Sequence, residues 1–238
     1  LAKNLGIKIY EKNPVIKIEK ISNKYNIITS KGSVLANKVV IASNGFYKDD
    51  LVPKLNNRIL PAISNIIVTR PLTEIEINAH HFKTHNPILN SRKLLYYYRL
   101  LKDNRFLFGA RGDLIGSDSS SLKMSNKMEK EMKNIFPNWA HVEIDYKWRG
   151  LVAMTNKLLP SIGKLDNDEI YYSFGYHANG VNTAPWAGKE LANLMLGSNS
   201  KNLQISKLYL GLPKKFIFPS LRLFYLKVAY MYYSLIDR

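Results

Sequence analysis

Cysteine is absent from the 238 residues. Disulfides, thiolate metal sites and cysteine nucleophiles are thereby excluded, although the absence places the chain in no redox compartment. Acidic residues are scarce, 18 Asp and Glu against 35 Lys and Arg, for a formal net charge of +17. The lysines are spread along the whole chain without zinc-finger spacing, an RNP-type strand or a long run of like charge, so no nucleic-acid partner is expected. No apolar run approaches the length of about 20 residues that a transmembrane helix needs. No charged-then-apolar leader opens the chain at Leu1, and the expectation is a cytoplasmic protein cut from something longer. Walker A, G-x-S-x-G and H-E-x-x-H patterns are missing, which leaves hydrolase and nucleotide-triphosphatase readings unsupported. What is plentiful is apolar residue content, 46%, enough for a sizeable core and incompatible with disorder.

Residues 7–10, 14–19, 25–29 and 38–43 read as short strands. Val39-Val-Ile-Ala42 is an unbroken apolar run of the kind buried on both faces of a parallel sheet, and it stops at Ser43-Asn-Gly45. An open α/β sheet places its ligand crevice at such a strand end, and the glycine lets backbone approach a ligand. Strands are expected again at 63–69, 94–101 and 105–109, with a hairpin turn at Asp103-Asn104. The spacing of Met124, Met128, Met132 and Ile135 predicts an amphipathic helix over 122–136 closed by Pro137, its methionines packed as core. Strands at 142–148, 161–163 and 170–174 follow, then a loop and a helix over 185–196 with Pro185 in its first turn and Asn182 or Thr183 as cap. The order implies α/β regions at both ends around a more antiparallel middle.

The loop Gly175-Tyr-His-Ala-Asn-Gly-Val-Asn-Thr183 is the most informative segment. It reads two ways: a cradle for an anion or a developing negative charge at a helix N-terminus, or a turn with a well-capped helix. His177, with no Asp or Ser close in sequence, is expected to be a hydrogen-bonded loop residue. Arg111 reads as a surface ion-pair partner or a carboxylate clamp. Arg111-Gly-Asp113 matches an adhesion tripeptide but is too short to count. His80, His81 and His85 lack the ligand set that zinc requires, and no metal is expected. The repeat of Leu221, Phe224, Tyr225, Val228, Tyr232 and Leu235 predicts a C-terminal helix docked on the body or on a partner subunit, with an interfacial membrane helix as the less favoured alternative, and it leaves a homo-oligomer open.

Four segments in order resemble the C-terminal portion of the D-amino acid oxidase (DAO) superfamily of flavoproteins, which includes glycine/sarcosine oxidase-like and γ-glutamylputrescine oxidase-like enzymes. They are Ala36-Asn-Lys-Val-Val-Ile-Ala-Ser-Asn-Gly-Phe46; Tyr98-Arg-Leu with Arg105-Phe-Leu-Phe-Gly-Ala-Arg-Gly112; Trp148-Arg-Gly-Leu-Val-Ala-Met-Thr155 with Leu159-Pro-Ser-Ile-Gly163; and Phe174-Gly-Tyr-His-Ala-Asn-Gly-Val181 with Gly188-Lys-Glu-Leu-Ala192. The resemblance spans nearly the whole chain.

It implies an α/β fold with an α+β substrate part: an incomplete FAD-binding Rossmann-like domain carrying an inserted, mostly antiparallel substrate domain. Residues 1–57 and 151–200 would belong to the FAD domain, 58–150 to the substrate domain, and 201–238 to an extension with a docking helix. The implied cofactor is FAD, with Gly175, His177, Asn179, Gly180 and Val181 at its ring and Val15, Ala42, Ser43, Asn44 and Gly45 along the remainder. Tyr98, Arg111 and Trp148 are the expected pocket wall, and no residue is assigned a catalytic role. The implied activity is oxidation of the C–N bond of an amine or amino acid to an imine that hydrolyses, with oxygen or an electron carrier as the acceptor. Alternatives are a flavin dehydrogenase that feeds a carrier and a non-catalytic basic module that binds an anionic membrane or partner. Two departures stand out. The family's N-terminal G-x-G-x-x-G unit is missing, so pyrophosphate has no carrier and these 238 residues alone are expected not to hold FAD tightly. Lys157 also stands where the family often has Asp.

Overall fold

A computed structural model describes residues 2–197 and 205–237. In chain order the strands and helices are β1 Val15–Ile21, β2 Lys24–Thr29, β3 Gly32–Ala36, β4 Val39–Ile41, β5 Leu60–Pro71, α1 Glu74–Ala79, β6 Ile88–Leu89, β7 Tyr97–Leu100, β8 Arg105–Arg111, α2 Asp118–Ile135, β9 Ile144–Met154, β10 Ser161–Lys164, β11 Ile170–Phe174, α3 Gly180–Met195 and α4 Arg222–Ile236. The chain forms two compact units, one of residues 1–59 with 155–216 and one of 60–154 with 217–238. Of the extension read from 201 onward, residues 205–216 fall in the first unit and 217–237 in the second, and residues 201–204 lie outside the described residues.

In the first unit, β1, β2 and β3 form an antiparallel meander in which Ile18 faces Ile27 and Tyr25 faces Ala36. A second sheet has the order β10-β11-β4, with β11 antiparallel to β10 and parallel to β4. All five residues of β11 are buried. Helix α3 lies on this sheet through Ala187 and Leu191, packed with Ile162, Tyr171 and Tyr176.

Three expectations need correction here. Residues 7–10 form no strand, and their side chains are exposed. Val40 is 41% exposed rather than buried, because β4 is the last strand of its sheet among the described residues. Helix α3 begins at Gly180, five residues earlier than read, so Pro185 sits inside it. Proline has no N–H to give the carbonyl four residues back, which leaves Val181 O without that helical bond.

The second unit is a five-stranded antiparallel sheet of order β6-β7-β8-β5-β9. Helix α2 covers one face, capped by Ser117, whose hydroxyl accepts the Ser120 N–H, a contact typical of a helix start. Met128 and Met132 are buried against Ile67, Phe106, Phe108 and Trp139, so the methionine stripe is core. Rings of Phe82, Tyr98, Phe106, Phe136 and Trp139 meet edge-on, tilted or stacked, with centroids 4.7–6.5 Å apart, within the range of favourable aromatic contact. Asp113 of the Arg-Gly-Asp tripeptide turns inward to accept N–H groups of Ile115 and Gly116 and the Ser120 hydroxyl. Among the described residues no helix is long and apolar enough to cross a membrane.

Candidate functional site

In the first unit the end of β4 opens into a groove of about 560 Å³. Val15 and Ile18 of β1, Ile27 of β2, and Ile41, Ala42 and Ser43 line it. Three of the expected cofactor residues, Val15, Ala42 and Ser43, therefore share one apolar wall. Past Ser43 the chain makes a 3-10 turn over Asn44–Phe46, with Gly45 buried in it. Asn44 adopts φ +48, which lets its side chain turn to the neighbouring strand, where Oδ1 accepts the Gly175 N–H at 3.0 Å. The ends of β4 and β11, adjacent in the sheet, are tied together by that bond.

Gly175 has φ +79, and a Cβ there would come within 2.5 Å of Thr155 Cγ2; only glycine fits. His177 and Ala178 follow in the left-handed region as well, at φ +48 and +70. Two consecutive non-glycine residues in that region are strained, which is common where a loop is shaped for a ligand. The His177 Nε2 accepts the Thr155 backbone N–H at 3.2 Å and lies 3.1 Å from Thr155 Oγ1. Burial also lowers the pKa of His177, because a desolvated imidazolium is disfavoured. His177 is thus a neutral brace of the loop, in line with the hydrogen-bonded reading.

Helix α3 starts directly after the loop, and Asn179 makes no side-chain capping bond. The first-turn N–H groups of α3 therefore take no side-chain cap from Asn179, and the positive end of the helix dipole lies at the end of this loop. Val181 is 96% exposed, so no protein group covers its side chain. An apolar groove at a strand end and a glycine-backed loop at a helix start are compatible with a flavin dinucleotide. No residue cluster that could hold a metal occurs among the described residues.

In the second unit the expected wall residues go three ways. Tyr98 faces Phe108 across the strands and its ring belongs to the aromatic core beneath α2; it is a packing residue. Arg111 lies over the Tyr230 ring at 4.6 Å and lines a small cavity with Met124, Lys127 and Glu131 of α2. Trp148 is 45% exposed. It ends a row across four strands, Tyr97, Gly109, Ile66 and Trp148, each the register partner of the next. By the alternation of a strand this row faces away from α2. Tyr97 and Ser64, not anticipated from sequence, form a hydroxyl pair at 2.8 Å, and burial raises the Tyr97 pKa. A Cβ at Gly109 would meet the Tyr97 ring at 2.1 Å, so the glycine is what lets that ring lie across β8.

The sequence profile described as "FAD dependent oxidoreductase" (DAO) matches residues 1–194. The chain belongs to the DAO family. This DAO-family chain is 32% identical over 246 residues to the probable oxidoreductase OrdL of Haemophilus influenzae, covering 99% of the chain and 53% of that protein. It is 30% identical to the γ-glutamylputrescine oxidoreductase of Escherichia coli, covering 98% of the chain and 53% of that protein. It therefore spans about half the length of the curated relatives it matches. Glycine oxidase of Bacillus cereus superposes with a TM-score of 0.69 at 22% identity, over 86% of this chain and 56% of that one. The fold is accordingly the mixed α/β fold that the resemblance implied, with a partial FAD domain.

Proposed function

We propose that the chain forms about half of an enzyme that oxidises the C–N bond of an amine or amino acid to an imine, which water then hydrolyses. One observation supports this reading: the groove lined by Val15, Ala42 and Ser43 adjoins Asn44, whose side chain bonds the loop at Gly175, so cofactor candidates far apart in sequence are gathered in the first unit. Bound FAD supplies the acceptor for the two electrons and hydrogen removed from the carbon next to nitrogen. Backbone N–H groups at the start of α3 stabilise negative charge at that group's edge. In the second unit Tyr97 offers a hydroxyl and Trp148 an aromatic face suited to an ammonium or its alkyl chain. Arg111, whose guanidinium lies over the Tyr230 ring, takes a substrate carboxylate where there is one. Either oxygen or a carrier accepts the electrons afterwards.

The test mixes the full-length flavin-loaded protein anaerobically with γ-glutamylputrescine and with glycine, and follows the flavin absorbance. Bleaching by either, with release of an aldehyde or keto acid, supports the reading. A flavin that no primary or secondary amine of a broad panel bleaches sinks it.

A further inference from the structure

Strand β7 divides its side chains between the two faces of its sheet. Tyr98 and Leu100 enter the core beneath α2, so Tyr97 and Arg99 share the opposite face, two residues and about 7 Å apart along the strand. Arg99 is the register partner of Leu107, which pairs with Val68 and through it with Tyr146. This row runs directly beside the one from Tyr97 to Trp148. The face away from α2 therefore carries the Tyr97 hydroxyl bonded to Ser64, the exposed rings of Tyr146 and Trp148, and one guanidinium.

Every other described arginine of the second unit is occupied. Arg70 pairs with Glu76, Arg92 with Asp237, Arg105 with Asp103 and Asp145, and Arg149 with Asp118. Arg111 lies over the Tyr230 ring, and Arg222 donates to the Pro219 carbonyl. Arg99 has neither a carboxylate nor a ring. Its Nε is cut off from solvent and makes no hydrogen bond, and its Nη groups meet no acceptor among the described residues. A buried donor left unpaired is uncommon in a fold. A half-buried guanidinium with its fork unpaired is prepared for an acceptor from outside, and a carboxylate matches the fork with two parallel N–H···O bonds. One cation balances one negative charge, which favours a carboxylate over a phosphate.

We infer that Arg99 sets substrate specificity by taking a carboxylate at the far end of the amine, a step that rests on the proposed contact of that amine with Tyr97. In an α-amino acid the nitrogen and the carboxylate share one carbon. The strand spacing of about 7 Å between Tyr97 and Arg99 suits instead a chain of several carbons between the two groups, as in an ω-amino acid. The test titrates hexanoate, which has the carboxylate and no amine to oxidise, into the full-length flavin-loaded protein by calorimetry, and compares kcat/KM for 6-aminohexanoate and hexylamine. Arg99→Gln is expected to weaken hexanoate binding about tenfold or more, the scale of a charge-assisted hydrogen bond, and to lower the preference for 6-aminohexanoate over hexylamine by a similar factor. Arg99→Lys keeps the charge without the fork and falls between the two. The thermal midpoint of both variants stays near wild type, because no hydrogen bond of the fold is lost. No hexanoate binding, or equal affinity in wild type and Arg99→Gln, overturns the proposal, and so does binding that only Arg111→Gln weakens. Binding that depends on Arg99 in a protein that oxidises no amine keeps the carboxylate site and sinks the oxidoreductase reading. Oxidation of both amines with an unchanged preference in Arg99→Gln does the reverse.

Discussion

The Nε2 atom of His177 receives the backbone N–H of Thr155 at 3.2 Å. An amide can only donate, so Nε2 carries no proton and the neutral ring keeps its hydrogen on Nδ1. Protonation of the ring breaks this contact and places a charge in a partly buried loop. Burial lowers the folded pKa from its ordinary value of 6.5, so the stability carried by neutral His177 is complete above that value and is lost as pH falls through the lowered one. The thermal midpoint of the wild type should drop between about pH 7 and pH 5. In His177→Gln, where a non-titrating oxygen can accept the same bond, the drop should be smaller. Parallel curves for the two proteins would show that His177 does not brace the loop.

Gly175 tests the same loop from its other end. Alanine there must hold φ +79 and place Cβ 2.5 Å from Thr155 Cγ2. The left-handed backbone alone costs about 1–2 kcal/mol, and the steric conflict adds to it. Urea unfolding of Gly175→Ala should therefore show a loss of about 2–3 kcal/mol. Thr155→Ser removes the clashing methyl and keeps the hydroxyl. Combined with Gly175→Ala it should recover the steric part and leave the backbone part. A single variant as stable as wild type would mean that the loop relaxes freely.

Much of this was legible in the sequence because it is local. Alternating β-branched residues marked most strands, the methionine spacing marked α2, and the glycines around His177 marked the loop. Pairing is not local, and the misses follow from that. Tyr96, Tyr97 and Tyr98 are chemically alike, and only the register with Phe108 and Gly109 decides that Tyr98 enters the core while Tyr97 meets Ser64. The exposure of Val40 depends on which strand lies beyond β4, which the run Val39–Ala42 cannot report. Pro185 marked a helix start by its usual preference, but the helix gained a turn ahead of it. The partnership of Thr155 with His177 joins residues 22 apart and left no signal in the sequence.

Glu76 is the most heavily bonded carboxylate in the second unit. Arg70 donates to both its oxygens at 2.9 and 2.7 Å, the Thr73 N–H donates at 2.8 Å, and His141 Nε2 lies at 2.7 Å. The Arg70 hydrogen bonds, first among these, hold its pKa far below the ordinary carboxylate range. A carboxylate with a depressed folded pKa contributes stability that is complete above its unfolded value and fades only in stronger acid. Glu76→Gln should cost about 2–4 kcal/mol near neutral pH, because Arg70 is left against an amide. Acid titration followed by circular dichroism should show the variant's deficit shrinking at low pH. A constant deficit across the titration would assign the loss to packing rather than to charge.

Tyr97 and Gly109 form a pair in which one residue has no side chain so that the other can cross the strand. Gly109→Ala would place a Cβ 2.1 Å from the Tyr97 ring, so the phenol must leave Ser64 Oγ, now at 2.8 Å. Tyr97→Phe removes the same hydroxyl without moving the ring, and the lost hydrogen bond is worth only about 1 kcal/mol. If the Tyr97 hydroxyl contacts substrate, as proposed, both variants should lower kcat/KM for an active amine by a comparable factor, while only Gly109→Ala lowers the thermal midpoint strongly. Tyr98→Phe serves as the control: its ring packs in the aromatic core, so kcat/KM should stay near wild type. Should Tyr97→Phe turn over amine as fast as wild type, the hydroxyl pair belongs to the sheet alone, and the substrate contacts must be sought at Trp148 and Arg111.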